Sequence, residues 1–180
     1  MSFNRILSIT IAILFIALFA QLSIDLPIGQ TMIPITGQTF AVLLVAYFLG
    51  AIWGTTAVAL YVLAGLIGLP VFADGKAGMA VLIGGSGGYL IGFIAGAWSV
   101  GWLKNSIKQA SFWKISGLMG LGTLVILIFG VGRLIQLYGM EKGLAYGFYP
   151  FWRGAVVKVF LGAFVVWGYE KRRFYLQRTM

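Results

Sequence analysis

Lys158 stands in an apolar stretch, with Gly154 four residues before it and Gly162 four residues after it. Positions i, i+4 and i+8 share one helix face. The ammonium therefore lies in line with two residues that have no side chain, which marks a packed face and not a lipid face. A lysine at membrane depth costs about 2.5–3.5 kcal/mol on insertion scales, so it faces an interior, a pathway or a ligand. No acid lies between residues 150 and 169 to pair with it. Its chemistry is then either snorkelling to the outer headgroups or donation to an anionic or carbonyl-bearing ligand. A second feature is Gly84-Gly85-Ser86-Gly87-Gly88. Four glycines in five residues strain a helix. A broken turn there would offer backbone N–H and C=O groups to a ligand, as in transporter midplane sites.

Other chemistries are excluded. The chain has no Cys and no His. That removes thiolate and imidazole nucleophiles, Cys/His metal sites and disulfides. Its four acids, Asp25, Asp74, Glu141 and Glu170, are scattered, which argues against a carboxylate pair or a two-metal site. The glycine cluster is followed by no Lys-Ser/Thr pair, so it is not a phosphate loop. Of 180 residues, 61% are hydrophobic and 9% are charged. A soluble domain carries about 25% charged residues. A net charge of +9 then marks cytoplasmic membrane loops sooner than nucleic acid.

The elements that must position Lys158 follow from the gaps between charges. Residues 6–24, 26–73, 77–103 and 115–132 contain no charge. About 20 apolar residues cross a bilayer. The pattern predicts an all-α polytopic membrane protein, one domain over 1–180, with six spans near 6–24, 36–52, 53–69, 80–103, 114–137 and 150–169. The run 26–73 is too long for one span, and Gly50-Ala51-Ile52-Trp53-Gly54 marks its division. With the N-terminus inside, the inner segments hold Arg5, Lys104, Lys108, Lys114, Lys171, Arg172, Arg173 and Arg178, against Lys76 and Lys142 outside. That bias obeys the positive-inside rule and sets both termini in the cytoplasm. The first run is expected to be a retained helix and not a leader, because Leu18 spoils the best cleavage site, after Ala20.

Two outside loops are irregular. Residues 26–37 carry two prolines and two glycines among apolar residues, which excludes a regular helix. They read as a hairpin in the interface, or as a lid over an outward-facing cavity, with Thr36 as N-cap of the second helix. Residues 69–78 form the other loop, where Asp74 is either a surface acid or an acid at a pocket mouth. Gly84, Gly88, Gly92 and Gly96 form one helical row, a face for close helix packing. Arg153 is a rim residue, Arg133 a snorkelling or Glu141-paired one, and Lys171-Arg172-Arg173 an orientation signal and a contact for anionic membrane lipid.

These segments resemble a known family. Pro34-Ile35-Thr36-Gly37-Gln38-Thr39, Tyr47-Phe48-Leu49-Gly50, Gly65-Leu66-Ile67-Gly68-Leu69-Pro70-Val71-Phe72-Ala73, Gly87-Gly88-Tyr89-Leu90-Ile91-Gly92-Phe93 and Tyr149-Pro150-Phe151 with Lys158 occur in this order. The chain resembles the BioY family, the biotin-specific S components of energy-coupling factor (ECF) transporters. The resemblance implies a protein of the bacterial cytoplasmic membrane that captures biotin from outside. It also implies partners: a transmembrane coupling subunit and two ATP-hydrolysing subunits. Biotin is then a transported ligand and not a cofactor, and no enzyme activity is implied. Within that resemblance, Lys158 meets the carboxylate or the ureido carbonyl. Thr36, Gln38 and Ser86 supply polar contacts, Tyr89 and Phe93 an apolar wall, and Gly84 and Gly85 exposed backbone. Asp74 is a possible acid, since the family pattern has an Asp where this chain has Ala155. The readings weighed against this one are an S component for another small organic acid or vitamin, a polytopic membrane enzyme, and an assembly protein without a ligand.

Overall fold

The computed structural model describes residues 3–24, 27–28, 31–32, 35–107 and 110–178, and the side chains of 24–35 are not among those described. Asp25 and Lys108 lie outside the described residues. Helix α1 spans Phe3–Gln21, and α2 spans Gln38–Leu66. A short α3, Met79–Ile83, precedes α4, Gly87–Leu103. Then come α5, Phe112–Tyr138, a short α6, Met140–Gly147, and α7, Phe151–Arg178. Four of these, α1, α2, α5 and α7, are long and apolar enough to cross a membrane.

Helix α2 is not straight. Gly50 sits at φ 79°, ψ −179°, a conformation that costs a glycine little and other residues much. The chain doubles back there. A Cβ on Gly54 would come within 2.8 Å of the Ala46 Cα, whereas eight residues of straight helix are about 12 Å long. Likewise Gln38 Nε2 donates to the Tyr61 hydroxyl over 2.6 Å. The corner falls within the segment expected to divide two spans. The expected span 80–103 is instead broken, with α3 ending at Ile83 and α4 starting at Gly87. The last helix runs through Lys171–Arg173, past the expected end at 169.

The fold is all-helical, and the loop after α1 adds two short ladders to it. Ser23–Ile24 pairs with Ile35–Thr36, and Pro27–Ile28 pairs with Thr31–Met32, both antiparallel. Two-residue ladders satisfy backbone groups that proline and glycine keep out of a helix. Thr36 is not the N-cap of α2. Gly37 holds that position, and the Thr36 hydroxyl accepts the Gln38 N–H at 3.3 Å.

Large side chains on the inner faces, including Ile16, Tyr61, Phe72, Ile115, Met119 and Ile126, are fully buried in one core. Leu14, Leu18, Ile128 and Phe164 point outward and are exposed. Helices apolar on both inner and outer faces are built for lipid, because water would penalise the outer face. The α4–α5 seam is tight. A Cβ on Gly88 would lie 2.3 Å from the Phe129 carbonyl oxygen, and one on Gly92 would lie 2.9 Å from that of Ile126. Gly88, Gly92 and Gly96 thus form a packing face against the α5 backbone, whereas Gly84, outside α4, is not part of it.

Candidate functional site

The polar groups of the core converge beside Lys158. Seven residues after the start of α7, or about 10 Å along it, its Nζ donates to the Thr36 carbonyl at 3.0 Å. That contact uses one of three N–H donors. No carboxylate pairs with it among the described residues. The Thr36 hydroxyl donates to Gln38 Oε1 at 2.9 Å. Gln38 Nε2 donates to the Tyr61 oxygen, and the Tyr61 hydroxyl donates to the Val71 carbonyl at 2.9 Å. A directed chain of hydrogen bonds thus ties the start of α2, its returning half and the loop that follows it. Thr36 and Gln38 are both buried, and satisfied buried networks rigidify the site they line.

Tyr61→Phe removes the link. It leaves the Gln38 amide and the Val71 carbonyl without their partner, each worth about 1–3 kcal/mol when buried. At the low end for each, about 2 kcal/mol in all because the Val71 contact is part-buried, we expect a thermal midpoint lower by roughly 4–8 °C, at 2–4 °C per kcal/mol for a chain of this size, read by a detergent-solution melt.

Thr36, Gln38, Ser86, Tyr89, Phe93 and Lys158 line one cavity of about 60 Å³. Tyr89 is held from two sides. Its hydroxyl donates to the Gly147 carbonyl at 2.9 Å, and its ring packs 5.5 Å from that of Phe151. Phe93, one turn on, is buried against the same space. The lining thus combines an apolar aromatic wall, one cation, and hydroxyl and amide groups. It can bind a small organic acid or a polar carbonyl compound.

Three of the anticipated residues lie apart from the cavity lining. Gly84 and Gly85 form the break between α3 and α4, where Gly84 N–H and C=O are spent on Ala80 and Gly87. Asp74 is on the loop after α2. Its carboxylate accepts from Ser23 Oγ at 2.6 Å and pairs with Lys76 at 3.0 Å. The Ser23 hydroxyl first, and Lys76 second, hold this carboxyl below the usual carboxylate range. Arg133 is not paired with Glu141. It donates to the Ile83 carbonyl and so pins the helix break.

The structure adds Thr39, Thr123, Phe151 and Ala155 to the lining. A signal for Thr123 existed: a hydroxyl in a charge-free span faces an interior more readily than lipid. Ala155 lies one turn before Lys158 and contributes no side-chain polar atom to the lining.

The family described as "BioY family" matches residues 1–174. A "Biotin transporter BioY" of Thermotoga maritima is 42% identical over 143 residues, covering 79% of this chain and 82% of that protein. "Biotin transporter BioY2" of Lactococcus lactis subsp. cremoris is 35% identical over 161 residues, 88% of this chain and 87% of that one. Among solved structures, the "S-component for biotin from an ECF-type ABC transporter" superposes with a TM-score of 0.83 at 25% identity, covering 95% of each chain.

Proposed function

The chain belongs to the BioY family, and from that premise we propose that it is the biotin-binding S component of an ECF-type vitamin transporter. It is a transporter subunit and not an enzyme. The observation that carries the reading is the cavity beside Lys158, a half-buried cation with free donors among neutral polar groups and an aromatic wall. Biotin presents a carboxylate, a ureido carbonyl with flanking N–H groups, and an apolar bicycle. Lys158 answers the carboxylate or the carbonyl. Gln38, Thr36 and Ser86 answer the polar edge, and Tyr89 and Phe93 answer the apolar ring and chain.

The topology we propose counts the two halves of α2 as separate spans and α4 as another, giving six with α1, α5 and α7. The inner ends then carry the basic residues, so both termini face the cytoplasm and the Lys158 cavity faces outward. The membrane is the bacterial cytoplasmic membrane, and residues 1–180 form one domain. The chain has no phosphate loop. Energy therefore comes from a transmembrane coupling subunit and two ATP-hydrolysing subunits.

A pocket for a drug-sized ligand has about 300 Å³ or more, and this cavity holds about 60 Å³. Capture therefore requires widening. The α4–α5 wall is locked by backbone contact. By contrast, Thr36 is tied to α7 by the single bond from Lys158 to its carbonyl, and this is the wall that gives way.

Calorimetry on ligand-free protein in mild detergent tests the reading. Biotin is expected to bind tightly and one to one. No heat and no binding from folded protein would overturn it and would send the search to other small acids.

A further inference from the structure

A second cavity lies at the other end of the molecule, about 20 Å along α7 from Lys158 by helix rise. Its volume is about 810 Å³. The turn after α4, the stretch before the Gly50 corner and the end of α7 enclose it. Three cations line it, Lys104, Lys171 and Arg173, with one carboxylate, Glu170. The Glu170 carboxylate is already engaged, since Oε1 accepts from the Tyr47 hydroxyl at 3.1 Å. Lys104 Nζ spends one donor on the Tyr47 carbonyl at 2.6 Å. Lys171 Nζ lies 5.0 Å over the Trp167 ring. None of the three cations forms an ion pair among the described residues, whose one ion pair is Lys76 with Asp74.

Three cations against one carboxylate leave a net charge of +2 around this space, a repulsion that a further anion between them would relieve. Free ammonium and guanidinium donors match phosphate oxygens, the guanidinium by two parallel bonds. Trp167 and Ile107 give the same cavity an apolar side. A ligand that satisfies both parts has a phosphate joined to an apolar body, and the volume suits more than a bare ion. We propose that this cavity is a binding site for the headgroup of an anionic phospholipid. Basic pockets between membrane helices on the cytoplasmic side bind such headgroups. The leaflet, but not the site, depends on the topology proposed above.

The test uses the full-length protein in detergent, titrated with phosphatidylglycerol, phosphatidylcholine or inorganic phosphate and read by native mass spectrometry. One phosphatidylglycerol per chain is expected to be retained, at least about tenfold more tightly than phosphatidylcholine. The double variant Lys171→Gln with Arg173→Gln should weaken that binding by roughly ten- to thirtyfold. Lys114→Gln with Arg172→Gln removes the same charge outside the cavity and should change it less than about threefold. Lys171→Arg with Arg173→Lys keeps the charge and should keep the lipid, which separates lost charge from lost fold. Biotin affinity should stay within about twofold in every variant, because its proposed site is at the far end. Equal losses in the two Gln pairs, equal retention of the two lipids, or displacement of phosphatidylglycerol by equimolar phosphate would overturn the assignment.

Discussion

Replacing Lys158 with Met is expected to lower biotin affinity by roughly 30- to 150-fold, the equivalent of about 2–3 kcal/mol for a hydrogen bond to a charged group. Methionine keeps much of the apolar stem and deletes only the ammonium. Two contacts vanish with it. The ligand loses its cation, and the Thr36 carbonyl loses the donor that now lies 3.0 Å away. The second loss acts on the free protein as well, so the hairpin end loosens before any ligand arrives. Arg153, exposed on the same helix, supplies the control, and Arg153→Gln is expected to change affinity less than about twofold. Titration calorimetry of both variants decides the matter. Equal small effects would mean that the Lys158 ammonium only snorkels. An isolated large loss would place it on the ligand. Biotin methyl ester would then tell the carboxylate from the ureido carbonyl as its partner. A carboxylate contact would make the ester bind the parent protein more weakly than the acid and would erase that difference in Lys158→Met.

Lys158 was legible because a charge in an apolar helix needs a reason, and a row with Gly154 and Gly162 indicates the direction in which it points. The corner at Gly50 was legible for a similar reason, since an uncharged run of 48 residues over 26–73 exceeds one bilayer crossing. Other parts depended on partners far along the chain. Asp74 carries a negative charge in the loop after α2, and spacing alone leaves it free to face a pocket. Ser23 and Lys76 hold it elsewhere, and the Ser23 contact spans 51 residues. Tyr61 gave no sign of its part in the site. Its hydroxyl matters only because α2 doubles back and brings it to Gln38. The loop 26–37 carried enough proline to exclude helix. Its strand pairs were unforeseen, because two-residue ladders leave no alternation to read.

Gly88→Ala should lower the thermal midpoint by at least about 4 °C, while Gly117→Ala in α5 should leave it unchanged or raise it slightly. The two glycines look alike in sequence, each in an apolar helix. Their surroundings differ. A methyl group at Gly88 would stand 2.3 Å from the Phe129 carbonyl oxygen and 3.1 Å from the Gly130 Cα, whereas at Gly117 it would meet nothing within 4 Å. Backbone cannot swing aside as a side chain can, so α4 must move away from α5. The neighbouring contacts of Gly92 and Gly96 lie on the same row and would open with it, which raises the cost above that of one crowded methyl. Tyr89 and Phe93 ride on α4, so the cavity wall moves too, and biotin affinity should fall together with stability. In Gly117→Ala both should stay. A melt of Gly88→Ala that matched the parent protein would show that the two helices do not approach this closely, and the rigid-wall part of the capture mechanism would fail with it. A lowered melt with unchanged biotin affinity would separate the seam from the site. The ligand would then be held from the hairpin and α7 sides alone.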